Sequence, residues 1–346
     1  MCSPPSMAPL ILVLALFQTA QDLYNSAATD FEAGRWAEAA TKYESVLKED
    51  TSHIPSRFNL AVCYTKLGNT DAAIAAYRTL LDQNGTIYEA RVNLAILLDQ
   101  GGKRDEAGEQ FEKALNLHPD DVQAELNLAM FYMRGNEIDK AYPHLIAVQT
   151  KGPSTAELYV ALSEAEHARQ NEAKSREYLE KAISLDSKNT NLRRQLAISY
   201  FTDKDYAKAI PPLVELVRLE PTNADYLYLL GKSYEQVKAY PPAIAALEQA
   251  IRIKSDDVEA YATLSAVFYA QENWGRAAQL LSRVIELRPR EALPHFVLAT
   301  CWDHLGNAKE AIVQYNKFLE LDDGSNDARS FQARQRARTL ERRQKK

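Results

Sequence analysis

Glycine is scarce, with twelve among 346 residues, and no Gly-rich loop of the kind that cradles a phosphate is present. Cysteine is scarcer: three residues cannot make a disulfide framework, so cysteine usage does not fix the redox compartment. The six histidines form no H-x-x-x-H or H-E-x-x-H pair, and there is no G-x-S-x-G. The nearest thing to a metal cluster is Cys301, Asp303, His304 and His295, whose positions on a helix diverge. These absences leave no catalytic site and no cofactor to propose. Basic charge is also lacking over most of the chain. Residues 329–346 carry +7 of a total of -6, which leaves -13 for the rest and speaks against nucleic acid as a partner.

Long hydrophobic runs are missing too. The most apolar stretch, "APLILVLALF" from Ala8 to Phe17, is too short to span a bilayer and matches the apolar region of a secretory signal, with cleavage after Ala20. No Lys or Arg precedes it, and Gln18 is a poor residue three before the cut. If residues 1–20 are a signal peptide the protein is exported to a periplasm or the extracellular space; otherwise it is cytoplasmic. In the second case the run is a short hydrophobic cap on the first folded unit, or Met7 is the initiator.

What is present is a folded composition, 46% hydrophobic and 25% charged, with a period. "FNLAVCY", "VNLAILL" and "LNLAMFY" place Asn59, Asn93 and Asn127 34 residues apart, and the preceding step is Asn25. Counting from Ala20, nine units begin at 20, 54, 88, 122, 156, 190, 224, 258 and 292 without insertion or deletion. Position 8 is always small, from Ala27 to Ala299, and position 20 is Ala in every unit but the fifth, where it is Ser175. Position 24 is always large, from Tyr43 to Tyr315. Positions 4, 7, 8 and 11 share one helical face, and 20, 24 and 27 share another. Breaks such as "LGNTD" (Leu67 to Asp71) and "LHPDD" (Leu117 to Asp121) separate them. Each unit is therefore read as two antiparallel helices that bury their apolar faces by stacking on neighbours.

This pattern resembles the tetratricopeptide repeat over residues 20–325. The resemblance implies an all-α fold, a right-handed superhelical α-solenoid of antiparallel helix pairs. Residues 326–346, which have no partner unit, are read as a basic C-terminal capping helix and tail. Units one and five depart from the pattern, with Asp30 and Glu166 at position 11, and the fifth is expected to be the least tightly packed. "IPPL" (Ile210 to Leu213) is expected to distort the second helix of unit six.

In this family the first helix of each unit lines a groove. Position 6 faces it, and there Asn25, Asn59, Asn93 and Asn127 resemble the asparagine ladder by which O-GlcNAc transferases hold an extended polypeptide. An amide offers one donor pair and one acceptor, matching a peptide backbone. No transferase domain follows, so no transferase activity is implied. Phe58, Val92, Val62, Ile96, Met130 and Met133 would supply an apolar lining. The family's chaperone-tail clamp needs a Lys, Asn and Arg set over three consecutive units, which this chain lacks. The expectation is a non-enzymatic scaffold that binds an extended peptide or protein segment within residues 20–155, and a monomer. Alternatives are a spacer or assembly subunit of an envelope complex, or a non-catalytic subunit of an enzyme. The N-terminus or the basic tail would serve for peripheral membrane association. The asparagines have a second reading, as inter-helix hydrogen bonders with no ligand.

Overall fold

The computed structural model describes residues 8–324 and 327–344, with side chains described from Ala20 onward. Cys2 and Met7 lie outside the described residues. Among the described residues there are nineteen helices and no strand. The chain forms two compact units, one ending at Asn171 and one beginning at Glu172.

The first unit holds α1 (Ala8–Glu32), α2 (Trp36–Glu49), α3 (Ile54–Lys66), α4 (Thr70–Gln83), α5 (Tyr88–Gln100), α6 (Arg104–Leu117), α7 (Val122–Arg134), α8 (Ile138–Lys151) and α9 (Ala156–Ala168). The second holds α10 (Glu172–Leu185), α11 (Thr190–Thr202), α12 (Tyr206–Leu219), α13 (Ala224–Gln236), α14 (Tyr240–Ile253), α15 (Val258–Ala270), α16 (Trp274–Leu287), α17 (Ala292–His304), α18 (Ala308–Leu321) and α19 (Asp327–Gln344). Within each unit every helix packs on the next, which makes each a solenoid of stacked pairs. The helix pairs follow the 34-residue ruler. The boundary between the compact units falls inside the fifth repeat. α1 continues through Ala20 without a break, and no described helix is long and apolar enough to cross a membrane.

The turn inside each repeat is set by one residue. Position 15 takes a left-handed conformation, with φ between 56° and 77°, in all nine repeats. Glycine, which carries no Cβ penalty there, fills it only at Gly34, Gly68, Gly102 and Gly306. Asn136, Gln170, Lys204, Lys238 and Glu272 adopt it in the other five. The next residue's N–H then closes on the carbonyl five back, as in Asn69 to Tyr64 at 2.9 Å and Lys103 to Leu98 at 2.8 Å. This bond satisfies a carbonyl that the helix end would leave orphaned.

The core follows the small and large positions. Tyr43, Tyr77, Leu145, Leu213 and Leu247 at position 24 are fully buried, each one turn from a fully buried alanine at position 20 on the same helical face. In unit seven position 8 is Gly231, where a Cβ would lie 2.5 Å from Leu247 Cγ. The two acidic departures at position 11 are buried and paired. Asp30 accepts from Arg35 at 2.6 Å and Lys42 at 2.5 Å, and these cations hold its carboxyl below the usual range. Glu166, 1% exposed, accepts from Tyr142 at 2.7 Å and Asn171 at 3.2 Å. α12 runs on through Pro211 and Pro212 to Leu219. At the end, α19 buries Ser330, Ala333, Ala337 and Leu340, and its apolar members join Phe296, Tyr315 and Phe318. Arg336 pins the helix by an ion pair to Asp303.

Candidate partner-binding face

The structure gives the position-6 asparagines a partner that their spacing alone does not name. Asn59 donates its Nδ2 to the hydroxyl of Tyr43 at 3.0 Å, and Asn93 donates to Tyr77 at 3.1 Å. Both tyrosines sit at position 24 of the preceding repeat, so each bond ties one repeat to the next. In the following repeat position 24 is Phe111, which has no hydroxyl. Asn127 there meets Tyr88 instead, at 3.5 Å, and accepts from Gln123 at 3.0 Å. Asn25 accepts from Gln21 at 3.0 Å. The signal was present in the sequence as a tyrosine sixteen residues before Asn59 and Asn93.

A second tyrosine latch repeats the same logic. Tyr64 donates to Glu44 at 2.6 Å, Tyr132 to Glu112 at 2.8 Å and Tyr200 to Glu180 at 2.7 Å, each reaching from position 11 to position 25 of the preceding repeat. Burial, then the neighbouring carboxylate, pushes all three phenols up to about 12. Where position 11 is Leu98 instead, position 25 is Arg78, which pairs with Glu106.

The bonds consume only half of each amide. The Oδ1 atoms of Asn59 and Asn93 have no donor among the described residues. Both side chains are half-buried. Three residues on, and therefore on the same helical stripe, stand Val62, Ile96 and Met130. Ile96 and Met130 are exposed at 38% and 36%. Val62, Phe58, Val92 and Met133 are half-buried and packed against the core of this unit, with Phe58 edge-on to Tyr77 at 6.3 Å. The apolar lining expected from the sequence thus divides into a packed set and an exposed pair.

The four residues singled out for a metal have separate surroundings. Cys301 is buried, His295 bonds Gln314 at 2.7 Å, His304 stacks on Trp274 at 4.2 Å, and Asp303 is taken by Arg336. Among the described residues no group of three His, Cys, Asp or Glu could hold a metal ion. Burial raises the Cys63 thiol to about 11 and that of Cys301 to about 12, which keeps both as unreactive thiols.

Helix pairs on a 34-residue ruler, linked repeat to repeat by buried side-chain bonds, define a helical-repeat protein. Family profiles described as tetratricopeptide repeat match residues 30–95, 97–165 and 264–326, together more than half of the chain. The chain belongs to the tetratricopeptide repeat family. Residues 169–250 match the profile described as anaphase-promoting complex, cyclosome, subunit 3. No curated protein matches the chain. Among solved structures, MamA from Desulfovibrio magneticus RS-1 is 21% identical with a TM-score of 0.45, over 50% of this chain and 98% of its own. YrrB, described as a tetratricopeptide protein with an unusual peptide-binding site, is 20% identical with a TM-score of 0.45, over 54% and 95%. Yeast Tom70 is 14% identical with a TM-score of 0.40, over 95% and 96%. The family is one of protein-interaction scaffolds.

Proposed function

We propose that the protein is a non-enzymatic scaffold whose first compact unit holds an extended segment of a partner protein along the position-6 and position-9 stripe of α3, α5 and α7. One observation carries this: Asn93, with its Oδ1 unengaged, stands one turn from the exposed Ile96 on α5, between Asn59 with its unengaged Oδ1 at the same position of α3 and the exposed Met130 at the matching position of α7. An extended segment offers backbone N–H groups to the first and apolar side chains to the second. Exposed apolar groups interleaved with polar acceptors fit a binding surface better than a solvated one. The asparagines act in two ways here, with Nδ2 holding the repeats together and Oδ1 facing the ligand. The test is selection of binders from a display library of random unstructured peptides, followed by fluorescence polarisation. Ile96→Glu/Met130→Glu alters exposed positions, so it should abolish binding of the selected peptides at unchanged Tm. Equal binding by this variant sinks the proposal.

The terminal helix supports a second contact. Phe331, 64% exposed, lies on one helical stripe with Arg334, Arg338 and Arg342, which have no acidic partner among the described residues. We read this stripe as a site for peripheral attachment to an anionic membrane. Co-sedimentation with phosphatidylserine vesicles that persists after Arg334→Gln/Arg338→Gln/Arg342→Gln would refute it. Export rests on the Ala8–Phe17 run alone, and sequencing the mature N-terminus tests it.

A further inference from the structure

Positions 4 and 23 face each other across the two helices of a repeat, and in the third, fourth and ninth repeats they form a polar pair. Arg91 donates to Gln110 at 2.9 Å, Glu125 pairs with His144 at 2.6 Å, and His295 bonds Gln314 at 2.7 Å. In the sixth repeat the same two positions are Arg193 on α11 and Pro212 on α12. Proline has no side-chain acceptor. Its ring also leaves open the space that a glutamine would occupy.

The consequence is visible at both ends of the broken pair. Arg193 Nη1 is buried without a hydrogen-bond acceptor among the described residues. Beside it lies a cavity of about 360 Å³. Ile183, Leu196, Pro211 and Pro212 give it apolar walls. Two carboxylates also line it, but both are engaged: Glu180 accepts from Tyr200 at 2.7 Å and Glu215 from Arg218 at 2.9 Å. Lys208, on the same wall, pairs with Asp205 at 3.4 Å. Nη1 of Arg193 is therefore a buried donor on this cavity with no acceptor among the described residues.

A buried charged donor left unpaired is costly, and an arginine's planar fork is matched best by a carboxylate. The volume falls at the small end of the range typical of ligand pockets. We infer that the sixth repeat carries a binding pocket for a carboxylate with a compact apolar body, its oxygens on Arg193 and its body against Ile183, Leu196 and the two prolines. Two sources have this chemistry: a free short-chain or aryl-alkyl carboxylic acid, and the C-terminus of a peptide ending in an apolar residue. The pocket lies wholly in the second compact unit, apart from the stripe on α3, α5 and α7, so it stands or falls independently of the proposed function.

The experiment is titration of the full-length protein, followed by NMR or calorimetry, with isovalerate and phenylacetate, with their amides, and with a tetrapeptide ending in leucine as free acid and as C-terminal amide. Binding of the acids in the millimolar range or tighter, with each amide at least about tenfold weaker, is the expected result. The peptide acid binding in preference to the free acids assigns the pocket to a chain terminus, and the reverse assigns it to a metabolite; both support the site. Two variants guard against a fold artefact. Arg193→Gln should lose the acid-over-amide preference. Pro212→Gln restores the glutamine found at Gln110 and Gln314, and should abolish binding while leaving Tm unchanged or raised. The inference is overturned if no acid binds at 10 mM, a concentration about ten times a weak millimolar Kd. It is also overturned if acids and amides bind alike, or if Pro212→Gln binds as the wild type does.

Discussion

The bond between Asn59 and Tyr43 can be weighed directly. Tyr43 is fully buried, and its hydroxyl accepts from Asn59 Nδ2 at 3.0 Å. Asn59→Ala leaves that hydroxyl in the core without its partner, which should cost about 1–3 kcal/mol. Tyr43→Phe leaves only the Asn59 amide, which is half-buried and can turn to water, so about 0.5–1.5 kcal/mol is expected. With both groups gone nothing polar is stranded, and the double variant should cost less than the sum by roughly 1 kcal/mol. Asn127→Ala is the internal control: its repeat offers Phe111 in place of the tyrosine and a 3.5 Å contact to Tyr88, so about 0.5 kcal/mol or less is expected. Repeat arrays can open in segments, so the assay is urea unfolding by circular dichroism together with hydrogen exchange of α2 and α3. Additive single effects, or an Asn127→Ala variant as unstable as Asn59→Ala, would refute the latch.

Three further outcomes rest on the geometry. Lys238→Gly relieves a left-handed lysine at φ 60° and should raise stability by about 0.5–1 kcal/mol in urea unfolding, with no change if position 15 carries no strain. Gly231→Ala drives a methyl against Leu247 Cγ and should lower stability by about 1–3 kcal/mol despite alanine's better helix propensity, with a gain in stability contradicting the packing argument. Tyr132 and Tyr200 keep their protons to about pH 12 in the folded chain, whereas an unfolded tyrosine releases its proton near pH 10. Their contribution is therefore complete below pH 10 and lost between about pH 10 and 12, at up to about 1.4 kcal/mol per pH unit for each. Absorbance titration of the phenols alongside thermal melts checks this, and normal phenol titration at pH 10 in the folded protein contradicts it.

The sequence was most legible where one rule repeats. Positions 8, 20 and 24 recur because two helices can pack closely only with small residues facing a large one. That requirement is the same in every repeat, so the ruler, the helix pairs and the capping helix could all be read in advance. The turn was half legible. Gly34, Gly68, Gly102 and Gly306 announce a left-handed residue, but Lys204 and Glu272 hold the same conformation and carry no such sign. There the closing hydrogen bonds and helix packing override local preference. The acids at position 11 looked like weak points when read one residue at a time. Asp30 and Glu166 are instead buried with cations or donors from positions 16, 21 and 23, a compensation visible only once the helices are folded together.

For the candidate site the sequence offered positions and only part of each side chain's partners. Helical spacing put the asparagines one step round from the core stripe, and in the fold Asn59 and Asn93 are half-buried. It could not apportion the two ends of each amide. Pairing Asn59 with Tyr43 and Asn93 with Tyr77 needs the offset between adjacent repeats, which sequence periodicity does not carry. Likewise Phe58, Val62, Val92 and Met133 occupy groove-side positions by count, yet pack against the core because neighbouring repeats close over them.

The most direct test of the central claim is a hydrogen-exchange footprint of the full-length protein with and without a peptide selected by display. Protection should concentrate on α3, α5 and α7 and be lost with Ile96→Glu/Met130→Glu. Protection confined to residues 172–346, or spread over the second helix of each repeat, would contradict it.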